Sequence, residues 1–515
     1  MVELTVARAL RLAATRTPEN PALACGERRL TFGELDELGN RIANALLAAG
    51  LKQGDRVGIM LPNSIEYVAI ALAAAQAGLV MIPLNYRFTG PEIAYPLGDS
   101  NARGLIYADE FRREVDRARD GLRGLLSFAV GTPSVADVGE LLRLASAQPA
   151  APPDLTIREE DIFYLGYTSG TTGRPKGAVV THRNRALAYH YWALEYGITG
   201  ADTALHVGPF HHTAPFTFTL TQLYRGGCVV IMPRFDAENT LRTLARERVT
   251  WSFMAPYMFN ALIPLIVEHG SRVDLSRLRF LISGASALPT PTKRGLLESL
   301  PNVGLHEFYG ATEAGVITNL RPEDQHRKIR CVGRAVPDAE IRILSEDGAE
   351  APPGEVGDIW IRSPTLFDGY FNAPEKTREA FRDGWATLGD VGRVDDEGYL
   401  YIVDRRKDVI KSGGVNIFPA EIEEVVLAHP GILEVAVIGI PDARWGEAVH
   451  AVLVRRPGST VTYEELLDHC RGSLSSYKLP KSIEFREALP RNPAGKILKR
   501  ELREEFRTRN EATMN

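Results

Sequence analysis

Cysteine is scarce in this sequence, and its few positions are far apart. Four of the 515 residues are cysteines (Cys25, Cys228, Cys331 and Cys470), and no C-x-x-C spacing occurs. A disulfide-rich secreted scaffold and a cysteine-based zinc site are therefore excluded. We expect reduced structural thiols, as in a cytoplasmic protein.

The sequence also lacks an excess of one charge and a long apolar run. Its 60 Lys and Arg residues and 65 Asp and Glu residues give a net charge of −5, so nucleic acid is not an expected partner. The longest apolar stretch, 68–84, contains Gln76 and Gly78. It indicates a buried helix that leads into a strand, and not an integral membrane span. Glu3 and Glu19 argue against a transit peptide, and no apolar segment near the start indicates a secretion signal.

The length of the chain predicts two or more domains. Residues 31–50 have Thr31 and Glu34 at capping-box spacing and Gly50 as a helix terminator. "RVGIML" and "GLVMIPL" are typical of buried strands. Helical and strand patterns alternate to about residue 330, which predicts parallel sheets covered by helices.

The pattern changes after residue 330. Short alternating segments with turn residues predict antiparallel β-structure in a small barrel-like subdomain. The charged stretch 403–414 is followed by a helix beginning at Pro419 and a buried strand, which predict a small α+β domain. We therefore expect a mixed α/β fold, with a large N-terminal domain at 1–404, a hinge near 404–408 and a mobile C-terminal domain at 405–515.

The segment "YTSGTTGRPKG", residues 167–177, combines glycines, hydroxyls and one lysine. Glycine lets backbone N–H groups converge on a ligand, and such arrays bind anions. Hydroxyl donors and the charge of Lys176 would suit a polyphosphate, although this composition is also that of an ordinary surface loop. The spacing fits neither a P-loop, G-x-x-x-x-G-K-[ST], nor a G-x-S-x-G nucleophile elbow.

Further motifs follow in order: "FYGATE" (308–313), "TLGD" (387–390), "DRRKD" (404–408), "KSGGVNIFPAEIE" (411–423) and "LPRNPAGKILKREL" (489–502). Together with the loop they resemble the adenylate-forming superfamily, which comprises acyl-CoA synthetases, luciferases and adenylation domains of peptide synthetases. The resemblance covers nearly the whole chain. It implies that ATP converts a carboxylic acid to an acyl-adenylate, with release of pyrophosphate.

The resemblance assigns catalytic roles to Lys496, Glu313 and Lys176. A carboxylate and a phosphate must meet, and at ~4 Å two unit charges repel by about 1 kcal/mol in water and about 4 kcal/mol at an effective dielectric of 20. A cation at that point, the role implied for Lys496, would offset the repulsion and stabilise the transition state. Glu313 would hold Mg²⁺ through a hard oxygen ligand.

The resemblance also implies a nucleotide site. In it Tyr309 lies beside adenine, Asp390 accepts both ribose hydroxyls, Arg405 reaches the same sugar, and Gly284 with Ala285 forms a wall near adenine and the acyl group. The residues expected to bind ATP are Thr168, Ser169, Gly170, Thr171, Thr172, Gly173, Lys176, Gly284, Ala285, Tyr309, Gly310, Thr312, Asp390 and Arg405.

The second half-reaction of the family, thioester formation, implies a rotation of the small domain about Lys407. The Gly413-Gly414 loop would then line a tunnel for the pantetheine arm, where a side chain would obstruct the channel. Trp445 and Tyr477 match positions that hold the CoA nucleotide in aryl-CoA ligases. Leu479 replaces an arginine of such ligases, so one phosphate contact to CoA is in doubt.

The stretch "HVGPFHHTAPFTFTLTQLYRGG" aligns with the border of the acyl pocket. His212, Thr213 and Phe218 are the expected substrate residues, while His211 stands where the family more often has phenylalanine. No aspartate for an amino group and no arginine for a second carboxylate occurs in this stretch before Arg225. We therefore expect an uncharged acid, fatty or aromatic.

Three functions remain open. An acyl- or aryl-CoA ligase would use ATP, Mg²⁺ and CoA. An adenylating enzyme could instead load a carrier protein's pantetheine arm, and a non-catalytic or luciferase-like member is the third option. Trp445 and Tyr477 favour CoA, and the presence of Lys496, Glu313 and Asp390 favours an active enzyme. A homodimer stays open.

Overall fold

A computed structural model describes residues 3–131, 139–168, 175–269, 272–442, 444–491 and 497–514, of which 510–514 are described by their backbone alone. The predicted loop residues Ser169, Gly170, Thr171, Thr172 and Gly173, and the predicted catalytic Lys496, lie outside the described residues.

Helices cover the sheets of the large N-terminal domain. Their order in the chain is α1 (Val6–Arg16), α2 (Phe32–Ala48), α3 (Ile65–Ala77), α4 (Gly90–Asp99), α5 (Arg112–Arg119), α6 (Gly139–Ser146), α7 (His182–Glu195), α8 (Thr213–Tyr224), α9 (Ala237–Arg246), α10 (Pro256–His269), α11 (Thr290–Ser299) and α12 (Pro374–Ala380).

Three sheets form the framework of this domain. Their strands are β1 (Pro21–Cys25), β2 (Arg28–Thr31), β3 (Arg56–Met60), β4 (Val80–Pro83), β5 (Gly104–Ala108), β6 (Leu126–Val130), β7 (Ile162–Thr168), β8 (Lys176–Thr181), β9 (Thr203–His206), β10 (Cys228–Ile231), β11 (Trp251–Met254), β12 (Phe280–Ser283), β13 (Gly304–Ala311), β14 (Gly315–Leu320), β15 (Arg334–Ala335), β16 (Glu340–Leu344), β17 (Gly357–Arg362), β18 (Phe381–Arg382), β19 (Trp385–Val394) and β20 (Leu400–Arg405).

Two of these sheets are largely parallel. In the described residues one has the order β15-β14-β13-β12-β11-β9-β10-β1-β2 and the other β6-β5-β3-β4-β7-β8. Antiparallel pairs occur towards their edges: β13 with β14, β14 with β15, β1 with β2, and β7 with β8. The third sheet, β16 to β20, is antiparallel. The predicted α/β alternation and the later antiparallel subdomain are thus confirmed.

The small domain combines one sheet with helices. Its elements are β21 (Ile410–Ser412), β22 (Val415–Ile417), α13 (Pro419–Leu427), β23 (Ile432–Asp442), β24 (Gly446–Arg455), α14 (Tyr463–Arg471), β25 (Ser482–Arg486) and α15 (Lys499–Met514). Pro419 begins α13, as predicted from its fixed φ.

Local sequence signals explain several element ends. Thr31 and Glu34 form the predicted capping box of α2, and Gly50, just beyond that helix, has φ +102°. The apolar stretch 68–84 forms most of the buried α3 and then β4. Among the described residues, no helix combines the length and apolar character needed to cross a membrane. All four cysteines are free.

Separate cores underlie the two domains. Among the described residues, each apolar cluster lies either at or before Ile402 or at or after Ile410. Because the small domain buries its own apolar surface, we expect it to unfold as a cooperative unit of its own.

Leu453→Ala tests this independence. Leu453 is fully buried in the small-domain core, so the substitution should destabilise that domain by about 2–5 kcal/mol. Hydrogen exchange read peptide by peptide should accelerate between residues 410 and 490 and stay unchanged before 400. Leu205→Ala, equally buried in the large domain, is the matched control and should give the reverse pattern. Acceleration of both domains by either variant would contradict the prediction.

Candidate active site

A buried carboxylate, Asp390, lies at the centre of the predicted ribose corner. Asp390 on β19 is paired in register with Arg405 on β20, and Arg405 Nε lies 2.6 Å from Asp390 Oδ1. Tyr309 on β13 donates its hydroxyl to Asp390 Oδ2 at 2.7 Å. Burial first, and then Asp390, raise the pKa of Tyr309 well above its ordinary value. The phenol therefore stays a donor, and the three residues predicted to share one site meet.

A second cluster surrounds Glu313, which is buried. Thr168 Oγ1 donates to Glu313 Oε1 at 3.0 Å, and the Tyr370 hydroxyl donates to the same oxygen at 3.2 Å. Lys176 Nζ lies 4.8 Å from the centroid of the Tyr370 ring, and burial lowers the pKa of Lys176. Thr168 and Lys176 are opposite each other in the β7–β8 pair, so both flanks of the glycine-rich segment lie beside Glu313.

This cluster suits a metal that also binds phosphate. Among the described residues, no group of three or more His, Cys, Asp or Glu side chains could hold a metal ion by itself. One carboxylate with neighbouring hydroxyls is, however, the kind of site in which Mg²⁺ keeps waters and takes its remaining ligands from substrate phosphates. Glu313 therefore fits the role predicted for it.

The glycines near the "FYGATE" segment permit close backbone approach. A Cβ on Gly310 would come within 2.0 Å of the Gly315 carbonyl oxygen, so the β13–β14 turn requires glycine there. A Cβ on Gly284 would lie 2.3 Å from the ring of Phe308. Ala285 follows with φ +70°, a strained value for a residue with a side chain. Gly284 thus lies directly against the first residue of the motif.

Helix α8 brings the predicted acyl-site residues towards this motif. Thr213 Oγ1 and Thr312 Oγ1 are 3.0 Å apart. Phe218, further along the same helix, is fully buried, and its aromatic neighbours include Trp192 at 4.5 Å, Phe253 at 5.4 Å and Phe308 at 5.9 Å between ring centroids.

One residue in this region was missed from the sequence. Arg185 on α7 is buried and donates through Nη1 to Thr217 Oγ1. Residues 206–224 contain no arginine, as predicted, but the fold brings Arg185 to Thr217 from 32 residues away. The signal in the sequence was the position of Arg185 among the residues of α7 that face the interior.

The predicted CoA residues lie on the small domain. Trp445 and Tyr477 are 43% and 47% exposed, which is unusual for such large side chains. A Cβ on Gly413 would come within 2.8 Å of Trp445, and Gly414 has φ +82°. Gly413 is therefore required by the nearby ring of Trp445, and Gly414 by its own backbone conformation. Leu479 packs against the small-domain core.

Lys407, the predicted hinge residue, is exposed next to a cavity of about 220 Å³. The cavity is also lined by Arg500, Arg503 and Arg507, and Arg503 is ion-paired with Asp408. The junction is thus tied to the last helix by charged side chains.

Polar contacts join the two domains around this junction. Ala420 N donates to Asp404 Oδ2 at 2.9 Å. Arg330 Nε lies 3.3 Å from Glu424 Oε2, and Thr290 donates to the same carboxylate at 2.5 Å. Glu424 is thus held by two residues of the large domain.

His212 provides a test by pH. Burial lowers the pKa of His212 to about 4, and Nε2 has no hydrogen-bond partner. Between pH 6.5 and about 4 the unfolded chain binds a proton that the folded chain does not, so folded-state stability falls as pH falls. His212→Gln should flatten the dependence of unfolding free energy on pH by about 1.4 kcal/mol per pH unit in this window. Denaturant unfolding at pH 5, 6 and 7 measures it.

The control for this experiment is His326→Gln, because His326 is exposed. An unchanged slope in His212→Gln, or an equal change in both variants, would contradict a His212 that stays neutral in the folded protein.

Comparison with known proteins shows to which family this chain belongs. The model of the AMP-binding enzyme family matches residues 10–371, and that of the AMP-binding enzyme C-terminal domain matches residues 421–496. The chain is 38% identical over 483 residues to the long-chain-fatty-acid–CoA ligase FadD13 of Mycobacterium tuberculosis, covering 93% of each chain. It is 38% identical over 498 residues to feruloyl-CoA synthase of an Amycolatopsis species, covering 96% of this chain and 97% of the relative.

A solved structure extends the similarity to the arrangement of the parts. ATP-bound MatB from Rhodopseudomonas palustris aligns with a TM-score of 0.90 at 31% identity, over 98% of this chain and 99% of that one. The apo form of MatB, at 32% identity and the same coverage, gives 0.80. The present arrangement is thus closer to the ATP-bound form. These matches span both domains, and the chain therefore belongs to the AMP-binding enzyme family.

Proposed function

We propose that this chain is an AMP-forming acid–CoA ligase for an uncharged fatty or aromatic acid. The acid carboxylate attacks the α-phosphorus of ATP, giving acyl-adenylate and pyrophosphate. The CoA thiol then attacks the acyl carbon, giving the thioester and AMP. The observation that carries the proposal is the convergence of Tyr309, Asp390 and Arg405 beside the cluster of Glu313, Thr168 and Lys176.

The nucleotide would be held by its sugar. Asp390 already accepts a hydrogen bond from Tyr309 on one oxygen and is ion-paired with Arg405 through the other, and a carboxylate oxygen has room for a second donor. Two ribose hydroxyls could therefore bind without displacing Arg405. Tyr309, which lies beside this carboxylate, would border the adenine.

Lys176 and Glu313 would act at the phosphates. A desolvated ammonium near the phosphates offsets charge more effectively than one in water. Mg²⁺ bound through Glu313 would neutralise charge on the phosphate oxygens. Lys496 would meet the reacting carboxylate, a role that rests on the resemblance of "NPAGKI" to the family motif. Ser169, Gly170, Thr171, Thr172 and Gly173 would add donors to the phosphates on the same ground.

The acid's tail would lie against Phe218 and Phe308. The neighbours of Phe218 are aromatic and uncharged, and His212 is neutral at pH 7 because burial lowers its pKa to about 4. Burying a charged tail here would cost several kcal/mol. The two relatives, named for a long-chain fatty acid and for feruloyl-CoA, support an uncharged tail of either class.

CoA is the proposed acceptor in preference to a carrier protein. Exposed Trp445 and Tyr477 would contact its nucleotide part, which a carrier-bound pantetheine arm lacks. Gly414 would border the path of the thiol arm. We further propose that the domains divide at 404/405 and that Lys407 is the hinge, which the separate cores support. A cytoplasmic setting is supported by the four free cysteines.

Release of AMP tests the proposed reaction. The purified protein with ATP and Mg²⁺ should release AMP with octanoate, palmitate, benzoate or ferulate when CoA is present. Without CoA, the same acids should support exchange of pyrophosphate into ATP, because the first step is reversible and pyrophosphate can re-form ATP from the acyl-adenylate. Succinate and glycine are the controls and should give neither signal. AMP release that requires no CoA, or that prefers succinate, would contradict the proposal.

Trp445→Ala tests the acceptor. Stacking of a base on an aromatic ring contributes about 1–3 kcal/mol, so the KM for CoA should rise roughly 5- to 150-fold. The KM values for acid and ATP should stay unchanged. Leu433→Ala, at 44% exposure in the same domain, is the matched control. An unchanged KM for CoA would favour a carrier protein, and a lowered unfolding midpoint would assign Trp445 to packing against Gly413.

A further inference from the structure

Arg185 is a buried cation with little to compensate its charge. Its exposure is 3%, and among the side chains that the structure describes no carboxylate forms an ion pair with it. Nη1 donates to Thr217 Oγ1, Cζ lies 5.0 Å from the centroid of the Tyr164 ring, and Nε has no partner. Burial lowers the pKa of Arg185, yet a guanidinium remains protonated in proteins.

A lone buried charge is costly, since the penalty for removing an ion from water amounts to several kcal/mol even after relaxation. A hydroxyl acceptor and an aromatic face offset part of that cost. The remainder calls for negative charge, and bound substrate is the natural source in an enzyme that handles phosphate and carboxylate groups.

A chain of hydroxyls leads from Arg185 to the active site. Tyr164 beneath the guanidinium places its hydroxyl 3.1 Å from Thr213 Oγ1, and Thr213 Oγ1 lies 3.0 Å from Thr312 Oγ1. Tyr164 is buried, whereas Thr213 and Thr312 are partly exposed. The chain therefore runs from the interior to the surface of the "FYGATE" segment.

Gly166 fixes this chain sterically. A Cβ at Gly166 would lie 2.5 Å from the methyl group of Thr312 and 2.7 Å from the ring of Tyr164. Only glycine at this position of β7 leaves room for both side chains. Thr217, which accepts from Arg185, also donates to the Thr213 carbonyl oxygen at 2.8 Å, so Thr217 links the guanidinium to the first turn of α8.

We propose that Arg185 is a positioning residue for the adenylate anion. Its positive charge favours hydroxyl dipoles whose hydrogens point away from it, from Tyr164 to Thr213 and from Thr213 to Thr312. Thr312 is then left to donate outwards, towards the phosphate of bound nucleotide, and that anion in turn offsets the buried guanidinium. This assignment rests on the proposed function, because it places the nucleotide phosphate beside Thr312.

Binding of AMP compared with adenosine tests the assignment, because the two ligands differ in the phosphate. By calorimetry, Arg185→Met should weaken AMP binding roughly tenfold and leave adenosine unchanged, as expected for loss of one positive charge that acts on the phosphate through a partly desolvated site. Arg185→Lys, which keeps the charge, should retain most of the preference for AMP. Tyr164→Phe, which interrupts the hydroxyl chain, should reduce it.

Tyr189→Phe is the matched control. Tyr189 lies one turn from Arg185 on α7, is buried, and also carries an unpartnered polar atom, but it is not part of the chain of hydroxyls. This variant should bind AMP and adenosine as the unmodified protein does.

Stability separates this role from a structural one. Without nucleotide, Arg185→Met should not lower the unfolding midpoint, because the substitution removes an unpaired buried cation. If Arg185 served only to connect α7 with α8 through its hydrogen bond to Thr217, the substitution would lower the midpoint. Equal weakening of AMP and adenosine, an unchanged AMP preference in Arg185→Met or Tyr164→Phe, or a lowered midpoint without nucleotide would each overturn the assignment. Failure of the proposed function would appear separately, as absence of AMP release by the unmodified protein.

Discussion

The ion pair between Asp390 and Arg405 is the constraint on which the site and the junction both depend. Asp390 is buried, and a buried carboxylate without a partner would be strongly destabilising. Arg405 supplies that partner from the strand that leads directly into the small domain. The next residues in the chain, up to Ile410, begin that domain. Any ligand that binds Asp390 therefore lies next to Arg405, at the junction of the two domains.

The polar groups at Glu313 and Tyr309 follow the same rule. Glu313 accepts from two hydroxyls, and Tyr309 donates to a carboxylate, so each group is satisfied without ligand. Such pairing holds the side chains in place before substrate arrives, which is the preorganisation that electrostatic catalysis requires. Arg185 differs, because its charge lacks an anionic partner among the described residues. A site in which these polar groups are hydrogen-bonded and one buried positive charge lacks such a partner favours binding of an anion.

The sequence predicted those features of the fold and the site that depend on local signals or on motifs in a characteristic order. The capping box of α2, the start of α13 at Pro419 and the shift to antiparallel strands after residue 330 follow from short-range chemistry. The meeting of Tyr309, Asp390 and Arg405 could be expected only through the family resemblance, since 96 residues separate the first from the last. Neither local signals nor the family motifs predicted a role for Arg185. Its role depends on the lack of an anionic partner in the described residues, and only the tertiary structure reveals this.

The contacts between the two domains are of a kind that can break and re-form. Arg330 and Glu424 are both partly exposed, at 40% and 28% of their side-chain surface, and an ion pair of this kind contributes about 0–1 kcal/mol. The apolar clusters, by contrast, stay within one domain or the other. Breaking the interface therefore exposes little apolar surface, and water can replace its hydrogen bonds. The proposed rotation about Lys407 would thus face a small energetic barrier at the interface, while the Asp390–Arg405 pair keeps the pivot fixed at the nucleotide.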